Sequence, residues 1–327
     1  MQSFINYHLK KYPKSTTQDL VKLLYQNHFG PAHFIENINA VGQYYYSELN
    51  KNINNNNFYN LYEHIGNDFI RVNIIPFSKN FSNPYLINSF YESSLFDFNN
   101  IKLKNDFKNC LSLLNNDGFL NNYDYQDVHH SSIYYNSYSP HYRIINKKYL
   151  TLDMKVFQLQ NYIDSFNDFQ IFALEGKCTS GKTTISSKLK DVTIIDVDEF
   201  FLRNDLKTKE RLEEIGGNID YELYEQCLKQ IKPNTTITYT IFDCSTQQYH
   251  KKIIEIKNKV LLVGVYSFHP RVRKYIDKLC YLLVSNDEQY NRLKERPLFN
   301  RFINEWVPLE NKYYESYDFI SNADILI

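Results

Sequence analysis

Residues 176 to 183 read Gly176-Lys177-Cys178-Thr179-Ser180-Gly181-Lys182-Thr183, and no other stretch limits the fold so tightly. The octapeptide meets every fixed position of the phosphate-cradling pattern G-x-x-x-x-G-K-[ST]. The run before it, Phe169 to Glu175, is short, apolar and β-prone. The run after it, Thr184 to Lys190, can form a helix with Ile185 and Leu189 on one face. A strand, this loop and then a helix are the setting in which such a loop works. Glycines at 176 and 181 let backbone N–H groups approach phosphate oxygens with no Cβ in the way. The helix that starts near Gly181 adds its unsatisfied N–H groups. Lys182 can bridge two phosphates as a point charge, and the Thr183 hydroxyl can ligate Mg²⁺. Lys177 to Ser180 and Thr184 complete the expected nucleotide contact, with ATP and Mg²⁺ as the expected cofactors.

The chain of 327 residues is long enough for two domains, each with its own core. Composition narrows the partners. Formal net charge is zero and no basic stripe is visible, so nucleic acid and acidic membrane surfaces are not expected partners. No apolar run approaches the ~20 residues that span a bilayer. The N-terminal residues lack the charged-then-apolar profile of a signal peptide. Five cysteines, at 110, 178, 227, 244 and 280, are scattered and never spaced as CxxC, which points to reduced thiols and a cytoplasmic setting. Cys178 lies at a helix N-terminus, where a thiol pKa tends to fall; it serves either as an oxidation-sensitive thiol or as a spacer in the loop.

The second half alternates. Strands are expected at 169–175, 192–197, 236–243, 259–266, 279–285 and 323–327, and helices at 182–190, 219–231, 270–277, 287–296 and 298–317. Strand–helix alternation implies right-handed βαβ units and a parallel sheet flanked by helices, with ligands at the carboxyl ends of the strands. The first half, 1–165, reads as a mainly α-helical domain. Helices are expected from Thr17 to Asn27 (capped by Thr16 or Thr17), from Ala32 to Asn50, Tyr85 to Phe96, Ile101 to Leu114 and Tyr149 to Phe166. Phe69 to Ile75 reads as extended, Asn50 to Asn57 as a polar loop, and Val128 to Tyr142 as irregular. The alternating α/β domain therefore begins at about residue 166, just before the first of its strands.

Carboxylates follow the second strand of that region, in Ile194-Ile195-Asp196-Val197-Asp198-Glu199-Phe200-Phe201. At a strand exit beside a phosphate loop, a carboxylate can accept a substrate proton or hold the metal's water shell. Acidic residues also end strands and cap turns. Asp198 is read as functional, and Asp196 as metal-side or structural. Asp243 closes the next strand and suits either a substrate or metal contact or a strand-end cap. His269 can touch substrate or be a satisfied structural histidine.

Five segments in order carry a resemblance: Gly176 to Thr183, Asp198-Glu199-Phe200-Phe201, Gly217-Asn218-Ile219-Asp220-Tyr221-Glu222, Tyr266-Ser267-Phe268-His269-Pro270 and Glu305-Trp306-Val307-Pro308-Leu309-Glu310. Over about residues 168–327 the chain resembles the uridine kinase-like branch of the P-loop nucleoside kinases. The resemblance implies a P-loop fold and ATP-dependent phosphorylation of a small-molecule hydroxyl, a nucleoside first. It implies that Asp198 deprotonates the acceptor, that Asp220 and Tyr221 bind it, and that Arg292 and Arg296 are lid arginines. Four residues apart on one helix, the two arginines would share a face; a solvated surface is the other reading.

One departure matters. Where that branch carries Glu-Gly before Tyr-Ser-x-His-Pro, this chain has Val263-Gly264. A hard cation wants oxygen ligands and valine offers none. Either Asp196, Asp198 or Asp243 covers the metal, or catalysis is weakened. A nucleotide-binding regulatory module with a decayed centre and a kinase with a non-nucleoside acceptor therefore stay open beside the leading reading. In the first half, His28, His33, His129, His130 and His141 have no spacing diagnostic of a metal. Arg71, Arg143 and the tyrosines suit either a recognition surface or an aromatic core.

Overall fold

The computed structural model describes residues 1–31, 37–51, 60–66, 68–95, 100–114 and 129–327. They form two compact units, Met1–Gln158 and Leu159–Ile327. None of the described helices is long and apolar enough to cross a membrane.

The first unit contains α1 (Gln2–Lys11), α2 (Thr17–Phe29), α3 (Ile38–Leu49), β1 (Tyr62–His64), β2 (Phe69–Asn73), α4 (Ile74–Asn80), α5 (Asn83–Ser94), α6 (Ile101–Leu111), α7 (Ser132–Tyr138) and β3 (Tyr142–Asn146), and α8 (Leu152–Asp164) begins in it. It is helical, as expected, around a small antiparallel sheet of order β1-β2-β3. The extended run stops at Asn73 because the Asn73 side chain accepts Ile75 N–H and starts α4. The stretch after 128, read as irregular, folds into α7 and β3. Ser131 caps α7 by accepting Tyr134 N–H, and Ile144 and Ile145 bury against the sheet. The core gathers Tyr45, Leu61, Ile70, Val72, Phe77 and Ile145. The opening of the expected 32–50 helix, most of the polar loop at 50–57 and His33 lie outside the described residues.

The second unit contains β4 (Gln170–Glu175), α9 (Lys182–Ser186), β5 (Thr193–Asp196), α10 (Lys209–Glu213), α11 (Tyr221–Gln230), β6 (Thr235–Asp243), β7 (Gln248–Ile256), β8 (Lys259–Val263), β9 (Lys278–Tyr281), α12 (Asn286–Lys294), α13 (Phe299–Arg301), α14 (Val307–Ser316), α15 (Phe319–Asn322) and β10 (Ile325–Leu326). Five strands make a parallel sheet of order β10-β9-β4-β8-β5. β4 lies at its centre, with Phe172, Ala173 and Leu174 fully buried. A strand buried on both faces must be apolar throughout, which is why this one is legible in the sequence. The result is the parallel sheet flanked by helices that the strand–helix alternation of 166–327 implied.

Three expectations give way here. β6 does not join the parallel sheet; it pairs with β7 in an antiparallel hairpin, Thr235 opposite Ile256 through Asp243 opposite Gln248. The 270–277 helix reduces to one 3₁₀ turn, Arg273–Tyr275. The long 298–317 helix is interrupted by a π turn, Phe302–Trp306. Pro308 sits at the start of α14; it has no N–H to give to the carbonyl four residues back, so the turn before it widens.

Candidate active site

The loop 176–183 leaves the carboxyl end of the central strand β4. Gly176 has φ +154 and Gly181 φ +103. A Cβ at 176 would lie 2.7 Å from the Leu282 carbonyl, so the close approach requires glycine there. Thr179 holds φ +59, a left-handed conformation uncommon for a β-branched residue. It is held by its neighbours: Arg292 Nη1 donates to the Thr179 carbonyl at 2.7 Å and to the Ser180 carbonyl at 3.1 Å. Lys182 is buried, and its Nζ donates to the carbonyls of Gly176 (2.5 Å) and Lys177 (3.0 Å). The first N–H groups of α9 have no intrahelical acceptor. The buried Ser180 Oγ has no hydrogen-bond partner among the described residues. A loop with an enclosed ammonium, open amides and an orphaned hydroxyl suits a phosphate group.

The acids come from the next strand but one in space. Asp196 ends β5, and its carboxylate accepts Asp198 N–H at 3.0 Å, fixing the 3₁₀ turn Val197–Phe200. Asp198 is exposed as a residue. Protein packed around its carboxyl, and then the Asp196 carboxylate beside it, raise its pKa to about 7, against the pull of Lys182. Burial and Glu199 push Asp196 up too, with Lys182 again opposing. Lys182 thus acts electrostatically on both acids. Thr183 is exposed at the start of α9. Among the described residues no cluster of three His, Cys, Asp or Glu side chains stands ready for a metal; the Thr183 hydroxyl and the Asp196 and Asp198 carboxylates are oxygen donors of the kind Mg²⁺ takes. Val263 is buried at the end of β8, in register with Leu174 on β4 and Asp196 on β5. Asp196 is therefore the strand-end carboxylate beside the apolar position.

Two glutamates to which the sequence reading gave no role tie the site together: Glu175, and Glu310 at the end of the Glu305–Glu310 segment. Glu175, fully buried, accepts from Gly176 N (3.0 Å), Phe268 N (3.2 Å), Ser267 Oγ (3.3 Å), Tyr313 Oη (3.0 Å) and Tyr314 Oη (2.7 Å). Burial raises its pKa, and the Tyr314 hydroxyl and Lys182 oppose the rise. Glu310, on α14, accepts Cys178 N–H at 2.9 Å and Gln289 Nε2 at 3.4 Å. The signal for Glu175 was its place: a carboxylate as the last residue of a buried apolar strand must be there for a reason. Glu310 was visible as the last residue of the Glu305–Glu310 segment, but its place against the loop was not, because only α14's approach brings it there.

Other candidates fall elsewhere. Cys178 does not have a lowered pKa; burial and then the nearby Glu310 carboxylate push the thiol up to about 12. Arg292 clasps the loop's carbonyls and pairs with Glu288. α12 stops at Lys294, so Arg296 lies past the helix, exposed, and the two arginines do not share a helical face. Asp243 closes the β6–β7 hairpin, not a strand of the parallel sheet; it accepts from Ser245 N at 2.8 Å and Ser245 Oγ at 2.6 Å, and these bonds hold its pKa down at about 2. Asp220 caps α11 by accepting Leu223 N–H at 3.0 Å. Tyr221 is buried and stacks on His269, centroids 4.4 Å apart; its hydroxyl has no hydrogen-bond partner among the described residues. His269 Nε2 faces the Ile215 carbonyl at 3.1 Å, and Nδ1 accepts Arg271 N–H at 3.3 Å. Burial lowers its pKa to about 4, so it is a neutral ring near neutral pH. The hairpin is joined to the acidic turn: Tyr239 Oη donates to Glu199 at 2.7 Å, and Lys252 pairs with the same carboxylate.

No protein-family model matches the chain, and no curated protein matches it by sequence. Among solved structures, the chain is similar to a possible uridine kinase from Bacillus stearothermophilus, at 21% identity and TM-score 0.44 over 54% of this chain and 98% of that one. It is also similar to a proposed fructose transport system kinase from Silicibacter sp. TM1040, at 18% identity and TM-score 0.39 over 54% and 98%. Likenesses this distant carry no weight for the reaction or its substrate.

Proposed function

We propose that the second unit transfers the γ-phosphoryl group of ATP to a hydroxyl of a small molecule, with a nucleoside as the leading acceptor. The observation that supports this reading most is the enclosed Lys182 ammonium with its electrostatic hold on Asp196 and Asp198. When bound, ATP would supply the phosphoryl group and Mg²⁺ would neutralise charge that builds on it. Lys182 and the loop amides would hold the phosphates in line, and Thr183, Asp196 and Asp198 would hold the metal. Asp198 would accept the acceptor's proton at a carboxylate oxygen, a task suited by a pKa near the working pH. Arg292 would act by fixing the conformation of Thr179 and Ser180, so that the amides are set before the nucleotide arrives. Asp220 and Tyr221 would line the acceptor side, where the buried Tyr221 hydroxyl is left for a ligand to satisfy. Similarity of residue pattern to the uridine kinase-like branch favours the nucleoside; a sugar or another small alcohol suits the same fold.

A second reading, a nucleotide-binding module without turnover, is favoured by one observation: Val263 puts an apolar side chain where a metal-organising carboxylate would stand. One experiment separates the two. ATP consumption is measured with Mg²⁺ across a panel of nucleosides, sugars and small alcohols. Stimulation by one acceptor, lost in Asp198→Asn while ATP binding stays, supports the kinase. Tight ATP binding with no stimulated turnover across the panel supports the module. Failure to bind ATP at all overturns both.

A further inference from the structure

The first unit contains a charged interior that the phosphotransfer reading does not use. Glu63 on β1 and Arg71 on β2 are directly paired across the sheet, and both are buried, Arg71 to 2% exposure. Arg71 Nε donates to Gln26 Oε1 at 2.8 Å. Among the described residues its two terminal nitrogens make no hydrogen bond, and Nη1 has only an ion pair with Glu63 Oε2, at 3.7 Å. His8 on α1 is 1% exposed; among the described residues neither ring nitrogen makes a hydrogen bond, and Nδ1 faces Glu63 Oε1 at 3.6 Å, an ion pair when the ring is charged. A guanidinium fork and an imidazole this deeply buried without bonds are costly.

The neighbours share the pattern. Helical spacing puts His8, Lys11 and Tyr12 on one face of α1, and Asp19, Lys22 and Gln26 on one face of α2. Aromatic rings surround Arg71 and His8. Tyr142 lies 4.9 Å from the guanidinium carbon. Tyr12 and Tyr134 pack on His8 at 4.8 and 5.9 Å. Among these described groups, Lys11, Lys22 and Arg71 outnumber Glu63 and Asp19. Asp19 is also fully engaged: it accepts from Thr16 N and Oγ1, Ser131 N and Oγ, and faces His130 Nδ1 at 3.0 Å. The imbalance registers on the bases. Burial lowers the Lys22 pKa to about 8, and the positive charge of Arg71 adds to it. Burial lowers the His8 pKa; Glu63 opposes this, and Arg71 and Lys11 add smaller downward pushes. One negative group placed among Arg71, His8 and Lys22 would relieve all of this.

From this geometry we infer that the first unit is a binding site for the oxyanion of a small molecule, a phosphoryl or carboxylate group, received by the free fork of Arg71 with His8 and Lys22 beside it. A planar guanidinium with both terminal nitrogens open matches two oxygens of one anion. The Tyr142 ring lies against the guanidinium and the Tyr12 and Tyr134 rings against His8, so the charges sit among aromatic surface.

The test uses the full chain carrying Lys182→Met, so that the phosphate loop cannot account for the signal. Inorganic phosphate and sodium acetate are titrated separately by calorimetry, at ionic strength balanced with chloride. Saturable binding of one of them is expected, and which one tells phosphoryl from carboxylate. Lys22→Met should weaken it about tenfold, the worth of one charged hydrogen bond, and Lys22→Arg should restore it. Arg71→Gln should abolish it; should that variant fail to fold, Lys22→Met with an unchanged circular dichroism spectrum decides. No saturable binding of either anion overturns the inference, as does binding that Lys22→Met leaves unchanged.

Discussion

At the scale of single residues, Asp198 and Lys182 carry most of the proposed chemistry. The Asp198 carboxyl titrates near 3.8 when unfolded and at about 7 in the folded chain. Between these values the native state holds the extra proton, so this group's contribution makes stability fall as pH rises through that window, then level off. Asp198→Asn should flatten that slope, so its melting temperature should gain on the parent's more at pH 8 than at pH 4; equal differences would show that the shift is absent. If Asp198 is the proton acceptor, turnover should rise with pH to a limb near neutrality, and Asp198→Asn should lower it by roughly 10²–10⁴-fold. Lys182→Met should weaken ATP binding by at least about tenfold, read by calorimetry. Gly216 belongs to the same scale: with φ +67 and a would-be Cβ 2.3 Å from Tyr221 Oη, Gly216→Ala should cost about 1–3 kcal/mol in denaturant unfolding.

At the scale of elements, capping and substrate binding can be pulled apart. Asp220 starts α11 by accepting Leu223 N–H, and losing such a cap costs about 1 kcal/mol. Asp220→Ala should lower stability by that amount. A rise in KM for the acceptor beyond what Asp220→Ser shows would assign a substrate contact as well; matching KM values would leave the carboxylate as a cap alone. Much of the element plan could be read from the chain. The apolar runs of β4 and β8 and the Thr16 cap of α2 are local signals. The β6–β7 hairpin was not legible as such, because Gln248–Ile256 (Gln-Tyr-His-Lys-Lys-Ile-Ile-Glu-Ile) breaks the strict apolar–polar alternation of a half-buried strand and lies on a largely exposed ribbon. Nor was the early end of α12, which separates Arg292 from Arg296.

At the scale of the whole molecule, the two units have different liabilities. ADP with Mg²⁺, binding the loop, should slow amide exchange in residues 176–184 and 289–292, since ligands stabilise the state that binds them. Exchange in α2 should be unaffected by it. Protection of α2 instead would place the nucleotide in the first unit and remove the kinase reading.

The phosphate loop could be read from the sequence because its function depends on short-range backbone geometry: glycines at fixed offsets, a lysine and a hydroxyl, with one strand before and one helix after. The same holds for Asp198, tied to its strand exit by proximity along the chain. Long-range packing alone decided the rest. It brought Glu310 to the Cys178 amide from 132 residues away, and Tyr313 and Tyr314 to Glu175 from 138 and 139. It set the Tyr142 ring against the Arg71 guanidinium, 71 residues away along the chain. Side chains that meet across such separations leave no periodicity, because their spacing along the chain is set by the lengths of the elements between them.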